Sequence, residues 1–354
     1  MAHYIAVNRQ KTTDRDTLRI VFLMIEPLDG QILHALQLSP RASFRRIGEV
    51  VGVPEQTVAR RYRKMRRDGI MRVVALVNPQ LYGECQWIVR VHAKPDDLPR
   101  LAEALVRRPE VTHANVLSGW TELVCVVRAP LGESSDGLLQ RLPRTSSVLG
   151  MDVDLILHEF GGSAGSLWTG YGHGLRVDQV AALHDGAAES GPADHPVTPT
   201  EEDQPLVSAL AEDGRVPLAR LAELTGWSAA RVKRRIAALE ASATLTYDLE
   251  LLPEHLGFPV HAMVWITTPA RHLARIAEQI AEHDEVASVV AISGRHNLVA
   301  VVICRDVDQL YGYLAQRLAA IDHIQAYDVS IRTKRLKQAA SLIAHGRLIH
   351  AGRA

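Results

Sequence analysis

From Leu28 onward the chain repeats itself at a nearly constant distance. Leu28–Leu36 lines up with Glu202–Leu210 at an offset of 174, and Phe44–Gly52 with Leu218–Gly226. Val58, Tyr62 and Met65 find counterparts in Val232, Ile236 and Leu239, and Pro79 and Gly83 in Pro253 and Gly257. After one inserted residue, Leu117-Ser118-Gly119 returns as Ile292-Ser293-Gly294 at an offset of 175. A match this long at a nearly fixed period identifies two copies of one structural unit. Whatever one copy becomes, the other becomes as well, and 354 residues are too many for one ordinary core.

Each copy opens with three short helices. In the first, Leu28, Ile32, Leu33 and Leu36 form an apolar stripe, with Asp29 in the first turn. Ser43 is placed to cap a second helix, FRRIGEVVG, whose Phe44, Ile47 and Val51 face inward. Gly52-Val53-Pro54 turns tightly into a third helix over Pro54–Gly69. At about 100° per residue, Val58, Tyr62 and Met65 of that helix fall on one side. Gln56, Arg60, Arg63 and Arg67 fall opposite, flanked by Arg61, Lys64 and Arg66. Such a helix-turn-helix lays its last helix in a DNA major groove, and Ile70–Val77, with Arg72, reads as a following strand or wing. The zero formal net charge is a cancellation: Arg41–Arg72 holds ten Lys/Arg against three Asp/Glu, while Asp185–Asp203 holds six Asp/Glu and no Lys/Arg. Nucleic-acid binding follows this local distribution, not the sum.

The opening unit resembles the Lrp/AsnC family of transcriptional regulators. The residues that carry the resemblance are LDGQIL at 28–33, Phe44-x-x-Ile47-Gly48, Gly52-Val53, Val58-x-x-Arg61-Tyr62-x-x-Met65 and Gly69-Ile70. Through the repeat it covers most of the chain. It implies an α+β fold: a winged helix-turn-helix followed by a ferredoxin-like βαββαβ (ACT-like) domain that assembles dimers and senses small molecules, present twice. The sequence after the first wing fits, with strands over Gln86–His92, Val111–Val116, Glu122–Val127 and Gly150–His158 and helices over Leu98–Val106 and Gly137–Leu142. The expected units are 28–79 and 80–160, then 201–253 and 254–340. An N-terminal extension (1–27), a flexible acidic linker (161–200, with a short helix expected over Leu175–Leu183) and a C-terminal tail (341–354) complete the chain. A coil of about 40 residues reaches roughly 35 Å, enough for the copies to pair within one chain as a pseudo-dimer at high effective concentration. Pairing between chains then gives a homo-oligomer that reads two half-sites.

Contact with double-stranded DNA is assigned to Ser43, Gln56, Thr57, Arg60, Arg61, Arg63, Lys64 and Arg67, with Arg231 and Arg234 assisting from the second copy. Gln56 and Arg60 lie early in the helix, where base edges are met; Arg63, Lys64 and Arg67 suit phosphates. The equivalent outward face in the second copy is Ala230, Arg234, Ala237 and Ala241, and its wing carries Asp248 and Glu250 whereas the first wing carries Arg72. Carboxylates beside phosphates are unfavourable, so the first reader is expected to dominate. The resemblance also implies a Gly-x-x-Asp-like turn that contributes to a pocket for an amino acid or other small effector. The matching residues are Gly119, Trp120 and Glu122, and Gly294 and Asn297. Glu122 is one methylene longer than the family's Asp, and Asn297 lacks the charge.

Other features narrow the field. None of the sixteen histidines forms a zinc-like ligand pair, and neither a metal nor a cofactor is expected. No phosphate-binding Gly loop or nucleophile elbow is present, and no catalysis is expected. Cys85, Cys125 and Cys304 form no C-x-x-C pair and read as reduced core thiols of a cytoplasmic protein. Ile20–Ile25 is too short to span a bilayer. Two alternatives compete. Sirohaem decarboxylases resemble the same two-domain unit and occur as fused pairs. The nearest matches to their expected His and Arg residues are His113-Ala114-Asn115 and Arg295-His296-Asn297, with Leu298-Val299-Ala300 where an aromatic cluster is expected. The other alternative is a partner that joins family members into mixed assemblies without binding DNA.

Overall fold

The computed structural model describes residues 25–132, 137–161, 168–184 and 197–350. Nearly all of the expected N-terminal extension, most of the GGSAGS segment and the acidic stretch 185–196 lie outside the described residues.

In the first copy, α1 (Pro27–Leu38), α2 (Phe44–Val51) and α3 (Glu55–Arg67) bury Ile32, Leu36, Ile47, Val58, Tyr62 and Met65 in one core. Ser43 caps α2 by accepting the Arg46 amide at 3.1 Å. Gly48 lets α2 and α3 close on each other, since a Cβ there would stand 2.5 Å from the Val53 carbonyl oxygen. β1 (Met71–Val77) leads to β2 (Glu84–Ala93), α4 (Leu98–Val106), β3 (Val111–Leu117), β4 (Glu122–Pro130), α5 (Leu138–Arg141) and β5 (Val148–Phe160). α6 (Val177–His184) follows in the linker.

The second copy repeats the order: α7 (Gln204–Glu212), α8 (Leu218–Thr225), α9 (Ala229–Ala241), β6 (Leu245–Leu251), β7 (Val260–Thr267), α10 (Leu273–Ala281), β8 (Val286–Ile292), β9 (Leu298–Cys304), α11 (Val307–Gly312) and β10 (Ala326–Gln338). A hairpin, β11 (Ser341–Ala344) and β12 (Arg347–His350), ends the described chain.

The copies share their last strands. β5 pairs with β2 as far as Leu155 and then, from Ile156 to Phe160, with β8. β10 pairs with β7 over Ala326–Ile331 and then, from Arg332 to Lys337, with β3. The strands therefore close into a ring, β10-β3-β4-β2-β5-β8-β9-β7 and back to β10, which satisfies the backbone of strands that would otherwise be edges. Ile88, Leu117, Val124, Trp265, Ile292 and Val299 fill its interior. α4 and α10 cover the two outer faces through Leu98, Leu101 and Leu105 and through Ile276 and Ile280.

The helix-turn-helix units interlock as well. Their wings pair antiparallel with each other, Met71 opposite Leu251 through Val77 opposite Leu245. Arg41 donates to the carbonyls of Gly214 and Val216. Arg215, its counterpart 174 residues on, donates to those of Pro40 (2.5 Å) and Ala42 (2.7 Å). Residues that contact each other's equivalents in both directions define a two-fold, self-complementary interface, here inside one chain.

Three expectations change. First, Asp248 and Glu250 do not flank a DNA-facing wing. Wing pairing buries them, and Glu250 accepts the amides of Ala340 and Ser341, each at 2.9 Å. Burial pushes the Asp248 carboxyl up to about 7 and that of Glu250 up to about 8. Second, residues 341–350 are not a tail: β11 pairs with the end of β10 and β12 with β11. Third, the linker is partly built into the fold. Trp168 and Tyr171 are buried against the first helix-turn-helix, and the Gln179 amide on α6 donates to the Val50 carbonyl at 2.9 Å. No helix among the described residues is long and apolar enough to cross a membrane.

Candidate nucleic-acid interface and sensing ring

The buried side of α3 is held by Val58, Tyr62 and Met65, with Tyr62 against Phe44 at 5.1 Å and the Arg215 guanidinium over the Tyr62 ring. This fixes the helix's rotation. Gln56, Arg60, Arg63, Lys64 and Arg67 are exposed on the other side. Among the described residues, the side chains of Gln56, Arg60, Arg63 and Lys64 have no hydrogen-bond or ion-pair partner, whereas Arg67 makes a 3.5 Å contact to neighbouring Asp68. The face is therefore cationic, rigidly mounted and largely unspent. Thr57 is half-buried at its edge, and Ser43 is occupied by the α2 cap.

Arg61 is a correction. It binds Glu26 at 2.6 Å and Asp29 at 3.3 Å, tying α3 back to α1. Its counterpart Arg235 makes the same link to Asp203, with two contacts of 2.7 and 2.6 Å. The recurrence marks a structural pair of the helix-turn-helix, on which Arg61 is already spent. Arg66 likewise reaches across to Asp213 of the second copy at 2.7 Å. On α9, Arg231 pairs with Glu202 at 2.7 Å and stacks over Trp227, while Lys233 and Arg234 are exposed beside Ala230 and Ala237.

The expected effector turns are occupied by contacts within each copy and by strands that cross from the other. Glu122 is buried, bound by Arg90 at 2.6 Å, and accepts the Ser118 hydroxyl at 3.3 Å. Asn297 closes on Thr268, accepting its amide at 3.0 Å and donating to its carbonyl at 2.6 Å. The Gly119 amide donates to Thr333 on β10, and Trp120 lies near Lys334. Asp154 of β5 covers Gly294 so closely that a Cβ there would lie 1.9 Å from its Oδ1. These turns therefore meet the crossing strands, and the groups expected to hold an effector, Glu122 and Asn297, are already engaged.

The space the sequence did not disclose is elsewhere. A cavity of about 200 Å³ lies where the ring meets the helix-turn-helix layer, lined by Ile88, His113, Asn115, Val301, Arg332 and Arg335 among others and reached from above by Gln37 of α1 and Trp168. Arg332 and Arg335 stand where the first copy has Leu157 and Phe160 at the 175 offset. That replacement of apolar by cationic residues in the crossing strand was the available signal. Of the two histidine segments weighed for a decarboxylase, His113 and Asn115 line the cavity; His296 does not, and instead pairs with Asp328 at 3.2 Å.

Paired winged helix-turn-helix units over a shared ferredoxin-like ring define the class: a tandem DNA-binding and ligand-sensing architecture. The AsnC-type helix-turn-helix domain matches residues 26–66 and again 201–240, and the Lrp/AsnC ligand binding domain matches 261–342. The chain belongs to the Lrp/AsnC family. An uncharacterized HTH-type transcriptional regulator of Pyrococcus furiosus is 31% identical over 136 residues, which are 38% of this chain and 92% of that protein. The HTH-type transcriptional regulator LrpA of Pyrococcus abyssi is 27% identical over 138 residues, 39% of this chain and 98% of that protein. Among solved structures, the siroheme decarboxylase NirDL with an iron-uroporphyrin III analogue aligns over 89% of this chain and 93% of its own, with a TM-score of 0.58 and 18% identity. At that identity the likeness is one of fold alone.

Proposed function

We propose that this chain is a DNA-binding transcriptional regulator that contacts operator DNA chiefly through the outward face of α3 and is modulated by a small metabolite. One observation carries the reading: Gln56, Arg60, Arg63 and Lys64 are presented together on a helix whose inner face is locked, with no side-chain hydrogen bond or close ion pair among the described residues. Arg and Gln in this setting supply bidentate contacts to guanine and adenine, and the remaining cations engage phosphates. α9 offers fewer free cations, so the first reader carries most of the specificity, and a homo-oligomer brings first readers of two chains to two half-sites.

The test is fluorescence anisotropy of the chain on its own upstream duplex, with salt varied from about 50 to about 200 mM. Arg60→Ala/Arg63→Ala is expected to abolish specific binding and to reduce the salt slope of the remaining non-specific binding by about 1, since Arg63 is the phosphate contact of the pair and each phosphate no longer neutralised removes about 0.9. Arg231→Ala/Arg234→Ala is expected to change it by less than half as much. Equal losses would refute the asymmetry, and no binding to any duplex would refute the DNA reading. Visible tetrapyrrole absorbance in the purified, non-DNA-binding protein would replace it with the decarboxylase alternative.

A further inference from the structure

The ring cavity is chemically two-sided. Along one arc, β7, β10 and β3 bring His261, Arg332, Arg335, His113 and Asn115 to its wall. Across the ring, β5, β8 and β9 present Phe160, Val289, Val299, Val301 and Ile303. Trp168 closes the apolar side and is itself tethered to α1, its carbonyl accepting the Gln37 amide at 3.0 Å.

The polar arc holds two buried guanidinium groups whose counter-charges stand off rather than in close contact. Arg332 is almost enclosed, with 11% of its side chain exposed, and among the described residues its one ion-pair contact is to Glu254 at a long 3.6 Å. Arg335 spends part of its fork on the Leu251 carbonyl (3.0 Å) and Gln338 (2.7 Å), and it feels the Glu254 and Glu250 carboxyls without a close ion pair to either. Lys337 is satisfied by the Val106 and Arg108 carbonyls at the end of α4 and is not a free donor. Two carboxylates also line the space, Glu159 and Asp248, and burial pushes Asp248 up to about 7, so that it is half neutral near pH 7. The histidines report the local field. Burial, then Arg335, Arg128 and Lys337, hold the His113 imidazole down to about 4, and burial, then Arg332 and Arg335, lower that of His261. Asn115 Oδ1 is buried with no hydrogen-bond partner; an oxygen cannot hold a carboxylate, but the amide turned over about its last bond puts its donor NH2 in the same place. Guanidinium groups cannot shed their charge, and burying one without a close counter-charge is costly, so an anion brought to this arc would be held strongly.

We propose that this cavity binds a small amphipathic monocarboxylic acid, its carboxylate held by Arg332, Arg335 and the Asn115 amide and its hydrocarbon body against Val299, Val301, Ile303 and Phe160. The volume of about 200 Å³ lies below the roughly 300–1,000 Å³ of pockets for drug-sized ligands, which selects a short alkyl or single-ring acid. This places the metabolite of the regulator reading at the junction with α1 and β6. It rests on that reading for its regulatory meaning, while binding is measured without DNA, so that the two fail separately.

The experiment is titration calorimetry of the full chain with hexanoate and 3-phenylpropionate, each beside its neutral amide. At least one acid is expected to bind 1:1 and at least tenfold tighter than its amide. Arg332→Gln is expected to weaken it at least tenfold, and Val301→Trp, which fills the cavity, to abolish it. Asn115→Leu separates a ligand role from a structural one. It removes an unsatisfied buried acceptor, so the free protein's Tm is expected to hold or rise while acid affinity falls. Equal binding of acid and amide, no saturable binding of either acid, or full affinity in folded Asn115→Leu and Arg332→Gln would overturn the proposal.

Discussion

Removing Arg215 should loosen the joint between the two helix-turn-helix units. Its guanidinium donates to the carbonyls of Pro40 at 2.5 Å and Ala42 at 2.7 Å, and lies 4.6 Å from the Phe44 ring centroid and 5.3 Å from that of Tyr62. Hydrogen bonds from a charged donor contribute about 1.5–3 kcal/mol each, and a cation–π contact about 0.5–1 kcal/mol. The cost of desolvating the guanidinium, which lowers its pKa, offsets part of this. Arg215→Ala is therefore expected to cost about 2–4 kcal/mol of local stability. Its mirror image, Arg41→Ala, should cost less, about 1–2 kcal/mol by the same reckoning. One of its two hydrogen bonds is 3.4 Å long, and its single ring contact, to Tyr247, is at 5.9 Å. Native-state hydrogen exchange over α2 and α8 reads both. The double variant should fall short of additivity, because both side chains fasten the same pair of loops. A loss below about 0.5 kcal/mol for Arg215→Ala, or a larger loss for Arg41→Ala, would refute the assignment of these contacts as the joint.

The α1–α3 tie gives a second ordering. Arg235→Ala leaves Asp203, whose side chain is 2% exposed, with only the Thr200 amide and hydroxyl as partners, and should cost about 3 kcal/mol, the low end for breaking a buried pair. Arg61→Ala frees Asp29 at 16% exposure and should cost less, while leaving the salt slope of DNA binding unchanged, as anisotropy will show. The buried wing carboxylates set a pH dependence. Their folded pKa values, about 7 for Asp248 and about 8 for Glu250, lie above the unfolded values of 3.8 and 4.5. The folded state thus keeps protons that the unfolded chain releases, and stability falls as pH rises from about 4 to 8, by up to about 1.4 kcal/mol per pH unit for each group. Glu250→Gln, which keeps an acceptor for the Ala340 and Ser341 amides, should flatten this fall in denaturant melts at pH 5 and pH 8. An unchanged slope would refute the burial argument.

Local chemistry was readable wherever a signal recurs within a few residues. Ser43 as a cap, Gly48 and Gly52 around the turn, and the Val58–Tyr62–Met65 seam depend on helical periodicity and short-range backbone geometry. Arg61 was misread because a helical wheel places it at the flank of the cationic face, while its partner Asp29 lies on another helix. Glu122 and Asn297 were misread because their position in the turn is right, but Arg90 and Thr268 already occupy them.

By itself the sequence determined that the chain is a duplicated unit, which helices form, which side of α3 faces inward, and that the copies need a partner of their own kind. Periodicity and repetition are properties of neighbouring residues, and the physics that reads them is local. Only the tertiary structure decided how the copies meet. Strand crossing at Ile156 and Arg332 closes the ring, wing pairing buries Asp248 and Glu250, and residues 341–350 become a hairpin. The cavity beneath α1 is the same kind of fact. Its wall brings together His113 and Arg335, more than two hundred residues apart, and the charge and burial that give it chemistry exist only once those strands lie side by side.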